Sequence, residues 1–142
     1  MAAIPVVLIG HGSYPEGVRG AIEMILGEQP CLATVSLPPD GSTERLAEEV
    51  RAALRQLGSE GGEALVLADL MGGSPSNAVG ALALADPTLQ LVSGLNLPMA
   101  LEVLTSAAET AEDLAATAVH AGKAGVMDVA ATLREAARGV GS

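Results

Sequence analysis

Ile4-Pro5-Val6-Val7-Leu8-Ile9 runs without a polar break and stops at Gly10-His11-Gly12-Ser13. A strand with one wet face alternates apolar and polar residues. A continuous β-branched and leucine run instead fits a strand covered on both faces, as in a parallel sheet. Similar short runs recur at residues 31–37, 64–68 and 89–92, with helical patterns between them. Residues 16–26 set Val18, Ile22, Ile25 and Leu26 on one face and end at Gly27. Residues 43–57 follow Ser42 as an N-cap and carry Leu46, Val50, Ala53, Leu54 and Leu57 at helical spacing before Gly58. Residues 76–85 form a helix of small side chains, suited to close packing. The expected fold class is α/β: a mostly parallel central sheet with helices on both faces and right-handed crossovers.

The last third reads differently. Residues 98–105 and 109–121 form two helices, or one broken helix with Ser106 as a cap between its halves. Residues 125–129 suggest one more short strand, and residues 130–138 a short helix with basic residues toward its end. That strand either joins the same sheet or crosses, antiparallel, to a neighbouring subunit; the pattern leaves both open.

Composition narrows the class. A chain of 142 residues has room for one domain with a buried core, and residues 1–142 show no linker or internal repeat. An apolar fraction of 49% with 17% charged residues opposes disorder, and the mean hydropathy is +0.42. The apolar blocks fall short of the ~20 residues a spanning helix needs, and the first lacks the basic flank of a secretion signal. A cytoplasmic protein without membrane insertion is expected. Seven basic residues against 17 acidic ones give a net charge of −10, which repels a phosphate backbone. Tyr14 is the sole aromatic residue, so base-stacking platforms are missing and nucleic acid is not an expected partner. The single cysteine, Cys31, closes neither an internal disulfide nor a CxxC site and reads as a small core residue. Met24, Met99 and Met127 read as gap fillers in a core without aromatics.

In a parallel α/β sheet, chemistry is placed on loops at the carboxyl ends of strands. Two such loops are unusual here. One is Gly10-His11-Gly12-Ser13; the other is Asp69-Leu70-Met71-Gly72-Gly73-Ser74-Pro75. If their strands are parallel neighbours, both loops open at one rim and His11 meets Asp69. Glycine neighbours leave the imidazole room for a bulky reactant. A carboxylate on one ring nitrogen fixes the tautomer and leaves the other nitrogen as a nucleophile. Gly72-Gly73-Ser74 then opens a helix, whose free N–H groups and the Ser74 hydroxyl favour an anion. His11 and Asp69 are thus the candidate catalytic pair, and Gly72, Gly73 and Ser74 the candidate phosphoryl-binding residues. A third loop, Gly94-Leu95-Asn96-Leu97-Pro98-Met99, is apolar where a solvated loop is normally polar. It reads either as a partner-docking rim formed by Leu95, Asn96, Pro98 and Met99 with Met71, or as a loop buried against the last helices. Glu16 and Arg19 are further candidates for contact with a partner.

Taken together, Gly10-His11-Gly12, Glu16-Gly17, Met24-Ile25-Leu26-Gly27-Glu28, the segment Asp69 to Ala78 and Gly94-Leu95-Asn96-Leu97-Pro98-Met99 resemble the mannose-type IIA domain of the bacterial phosphotransferase system (PTS). The motifs keep the family's order. The resemblance implies a homodimer whose last strand crosses to the partner's sheet, with residues 125–129 in that place. It also implies a phosphohistidine carrier in sugar transport. His11 would accept a phosphoryl group on Nε2 from HPr and pass it to a IIB domain, with Asp69 on Nδ1–H and Ser74 holding phosphoryl oxygens. Neither metal nor nucleotide is implied, because the donor is itself a phosphohistidine. The chain departs from the family at Met71 and Ser76, where Phe is common, at Ala68, where Thr is frequent, and across Ser13-Tyr14-Pro15. These changes alter the rim and leave the nucleophile, carboxylate and serine in place.

Two other readings remain open at this stage. The same carrier could serve regulation, or a dihydroxyacetone kinase, in place of transport. Residues 8–13 also resemble the start of small chelatases that insert metal into a tetrapyrrole. That chemistry needs a second histidine or acid nearby, and the other histidine, His120, reads as a solvated residue at a helix end.

Overall fold

The computed structural model describes residues 3–59, 62–70, 72 and 74–140. Four strands, β1 (Val6–Gly10), β2 (Leu32–Ser36), β3 (Ala64–Ala68) and β4 (Leu89–Ser93), form one parallel sheet in the order β2-β1-β3-β4. Helices α1 (Tyr14–Leu26), α2 (Thr43–Gln56) and α3 (Ser74–Ala85) connect them. Helices α4 (Leu97–Thr105), α5 (Ala111–Ala124) and α6 (Val129–Val140) follow.

The central strands β1 and β3 are buried along their whole length, which is why their sequences lack polar alternation. Alternate residues still divide between two cores. Val6, Leu8, Leu65 and Leu67 pack with Ile22 of α1 and with Met99, Val103, Leu114 and Ala118 of α4 and α5. Val7, Ile9, Val66 and Ala68 pack on the other face with Leu46, Val50 and Leu54 of α2 and Val79 of α3. Connecting helices change face where the direction of strand addition changes, as a constant crossover hand requires. The predicted cap of α2 is present: the Ser42 side chain accepts the Arg45 N–H at 3.2 Å.

Several expectations are corrected. Residues 125–129 are not a strand: Gly125 caps α5, residues 126–128 have no regular structure, and Val129 begins α6. A strand needs an unpaired edge beside it, and within one chain this segment pairs with neither edge of the sheet. Ser106 caps the C-terminus of α4, while Thr110 caps the N-terminus of α5, its side chain accepting the Asp113 N–H at 3.2 Å. The inward face of α1 is Val18, Ile22 and Leu26; Ile25 is exposed. Met24 and Met127 are also exposed, so of the three methionines read as gap fillers Met99 alone is in the core. Cys31 is half-buried just before β2, and burial pushes its thiol pKa up.

Candidate functional site

In the order β2-β1-β3-β4 the chain adds strands in one direction after β1 and in the other after β3. The crevice of such a sheet lies between those two strands, beyond their carboxyl ends. Ile9 pairs with Ala68 across it, so the next residues, Gly10-His11 and Asp69, leave the sheet side by side. The expected meeting of His11 and Asp69 follows from this register.

One carboxylate oxygen, Asp69 Oδ2, lies 2.8 Å from His11 Nδ1 and accepts the His11 main-chain N–H at 2.9 Å. The other, Oδ1, accepts the Leu70 N–H at 2.9 Å. The Asp69 main-chain N–H donates to Ile9 O at 3.1 Å. Partial burial raises the Asp69 pKa, but the His11 side-chain and main-chain bonds and the Leu70 bond outweigh it and hold the carboxyl below its usual range. An ionised carboxylate only accepts, so in the neutral imidazole the proton belongs on Nδ1 and the lone pair on Nε2. The Asp69 side chain is 11% exposed and that of His11 is 49% exposed, so the carboxylate is held while the imidazole is open to a reactant.

Gly10 has a part that the sequence reading did not assign. A Cβ at this position would lie 2.9 Å from both Asp69 Cγ and Oδ2. The missing side chain therefore makes the space that the carboxylate occupies. Chain order gives no sign of this, because the contact joins the ends of two different strands.

The anion seat is described in part. Met71 and Gly73 lie outside the described residues, and Ser74 is the first residue of α3. Gly72 has a φ of +84° and donates its N–H to Ser76 Oγ at 3.1 Å, so this N–H is engaged by a side chain of α3. Ser76 itself is buried.

The apolar third loop turns inward. Leu95 is 2% exposed and Met99, on α4, 3%; both belong to the core shared with α4 and α5, which corrects their expected place on a docking rim. Pro98 is exposed. Asn96 joins two helices: its Oδ1 accepts the Met99 N–H at 2.9 Å and its Nδ2 donates to Gly122 O at 3.0 Å. Asn96→Ala should cost about 1–2 kcal/mol in urea unfolding, and Asn96→Asp, which keeps the cap acceptor but loses the donor, should fall between. Of the other partner-contact candidates, Glu16 bonds the Thr34 hydroxyl, and Arg19 lies 3.4 Å from Glu23. His120 is exposed on α5. Among the described residues, no group of three or more His, Cys, Asp or Glu could hold a metal ion.

Fold and site thus define an α/β protein with an open histidine, oriented by a carboxylate, at the switch point of a parallel sheet. The family model for the PTS system fructose IIA component (EIIA-man) matches residues 5–119, and the chain belongs to this family. It is 34% identical over 102 residues to the PTS system fructose-specific EIIA component of Bacillus subtilis, covering 72% of this chain and 69% of that one. It is 33% identical over 125 residues to the PTS system mannose-specific EIIAB component of Escherichia coli, covering 87% of this chain. It spans 38% of the length of that relative. The mannose/sorbose-specific IIA subunit of Enterococcus faecalis superposes with a TM-score of 0.80 at 32% identity, over 89% of this chain and 95% of that one. Membership sets the chain among phosphotransfer proteins of sugar uptake and removes the chelatase reading. No helix of the described residues is long and apolar enough to cross a membrane.

Proposed function

We propose that this protein is a phosphohistidine carrier that takes a phosphoryl group from phospho-HPr on His11 Nε2 and delivers it to a IIB domain for coupled sugar uptake. The observation that carries this reading is the 2.8 Å contact between His11 Nδ1 and Asp69 Oδ2, made by an imidazole that is itself half exposed. The Nε2 lone pair attacks phosphorus as the P–N bond of the donor phosphohistidine breaks. The proton stays on Nδ1, and the Asp69 carboxylate offsets the positive charge that builds on the ring. Delivery to the acceptor is the reverse step, so donor and acceptor need similar transfer potentials and the protein supplies orientation and electrostatics.

The first turn of α3 receives the phosphoryl oxygens, with Ser74 and the Gly73 N–H as donors. Gly72 contributes the turn rather than a donor, since its N–H is held by Ser76. Exposed Leu70 and Pro98 form the docking rim with Met71, in place of buried Leu95 and Met99. The carrier acts as a homodimer. Supporting this are the exposed apolar side chains of Val126, Met127, Val129 and Leu133, which a single chain leaves uncovered.

The test is intact mass after incubation with phosphoenolpyruvate, enzyme I and HPr. Wild type should gain one acid-labile phosphoryl group and His11→Ala none. A folded wild type that gains nothing beside active carriers would overturn the reading.

A further inference from the structure

Tyr14 stands three residues after His11, and the transfer scheme above does not use it. The residue is 43% exposed, yet its hydroxyl is committed: Oη donates to Leu95 O at 2.5 Å. Its main-chain N–H donates to His11 O at 3.1 Å. The Leu95 N–H in turn donates to Ala68 O at 3.0 Å. Asp69 follows Ala68 and accepts both the main-chain N–H and the Nδ1 of His11. The bonds therefore close a ring from His11 through Tyr14, Leu95, Ala68 and Asp69 back to His11. That ring ties together the carboxyl ends of β1, β3 and β4.

We infer that Tyr14 is a positioning residue for His11, its hydroxyl closing this hydrogen-bonded ring so that the histidine main chain keeps the imidazole on Asp69. This deepens, and rests on, the assignment of His11 as the phosphoryl carrier. Without the hydroxyl, the His11 segment is held by Asp69 and the first turn of α1, but no longer by the loop after β4. The His11–Asp69 pair then opens more often, and each opening loses the tautomer that frees Nε2. Partner docking would be the other use of an exposed tyrosine, and it has a different kinetic signature.

Tyr14→Phe removes the hydroxyl and keeps the ring. The maximal rate of transfer from phospho-HPr should fall about fivefold, the worth of one ordinary hydrogen bond, with the half-saturating phospho-HPr concentration unchanged. In the unphosphorylated protein, the His11 Nδ1–H proton resonance should exchange faster with water than in wild type. Tyr14→Leu should match Phe in that signal, since the hydroxyl carries the effect. Wild-type exchange and wild-type rate in Tyr14→Phe would overturn the inference, as would a loss confined to the half-saturating concentration. A further loss of Nδ1–H protection in Tyr14→Leu would assign the effect to ring packing and also overturn it. The resonance needs no phosphoryl transfer. A wild type that accepts no phosphoryl group defeats the carrier assignment, while the resonance still decides the role of Tyr14.

Discussion

Asp69→Asn should leave the fold intact and slow phosphoryl transfer from phospho-HPr by about a hundredfold to a thousandfold. The carboxylate is used entirely as an acceptor: Oδ2 takes two N–H groups of His11, and Oδ1 takes that of Leu70. An amide offers one oxygen and one NH2 group. Turned with its oxygen toward His11, it sets the NH2 against the Leu70 N–H. Turned the other way, it meets the His11 main-chain N–H with a donor and draws the ring into the tautomer with the proton on Nε2. The nucleophilic lone pair is then lost to the reaction. Rapid-quench measurement of phosphoryl uptake checks this, with circular dichroism to show the fold retained. A rate within threefold of wild type would mean that Asp69 merely shapes its loop.

Gly10→Val should be the most damaging single change at the site that touches neither reacting group. The new Cβ would sit 2.9 Å from the Asp69 carboxyl carbon and 3.1 Å from Asp69 Cβ. Neither can yield as the end of a long flexible side chain would, because Asp69 directly follows β3 and its main-chain N–H is bonded to Ile9 O. Overpacking of this kind costs about 1–3 kcal/mol in stability. Displacing the carboxylate from His11 also removes the orientation on which transfer depends, for a loss of about a hundredfold in rate. Thermal unfolding and the same uptake assay read the two effects separately. Stability and rate both at wild-type values would show that the close approach is not needed.

These two predictions mark the boundary of what one sequence makes legible. Residues 64–68 match β3 to the residue because a fully buried parallel strand writes its burial directly into composition. The His11–Asp69 pair was visible for a related reason: parallel neighbours must end at a common rim, and both residues stand one or two places past an apolar run. Gly10 was not legible, since the need for a missing Cβ arises from a residue on another strand. Leu95 and Met99 misled because apolar residues in a loop look alike whether they face a partner or the core. Here both face the core shared with α4 and α5, Met99 from α4 itself. Residues 125–129 have strand composition but, within one chain, pair with neither edge of the sheet, and composition does not say where in the fold a segment comes to lie. Tyr14 stood out as the lone aromatic and as a departure from the family pattern, yet its bond to Leu95 O depends on how the loop after β4 folds back.

The most direct test of the account is the position of the phosphoryl group on the imidazole. Nitrogen-15 and phosphorus-31 NMR of the phosphorylated protein distinguish the two ring nitrogens, and the chain holds only two histidines to assign. With Nδ1 held by Asp69, the phosphoryl group should be found on Nε2 of His11, and Nδ1 should still carry its proton. A phosphoryl group on Nδ1, or on His120, would contradict the geometry from which the mechanism is built.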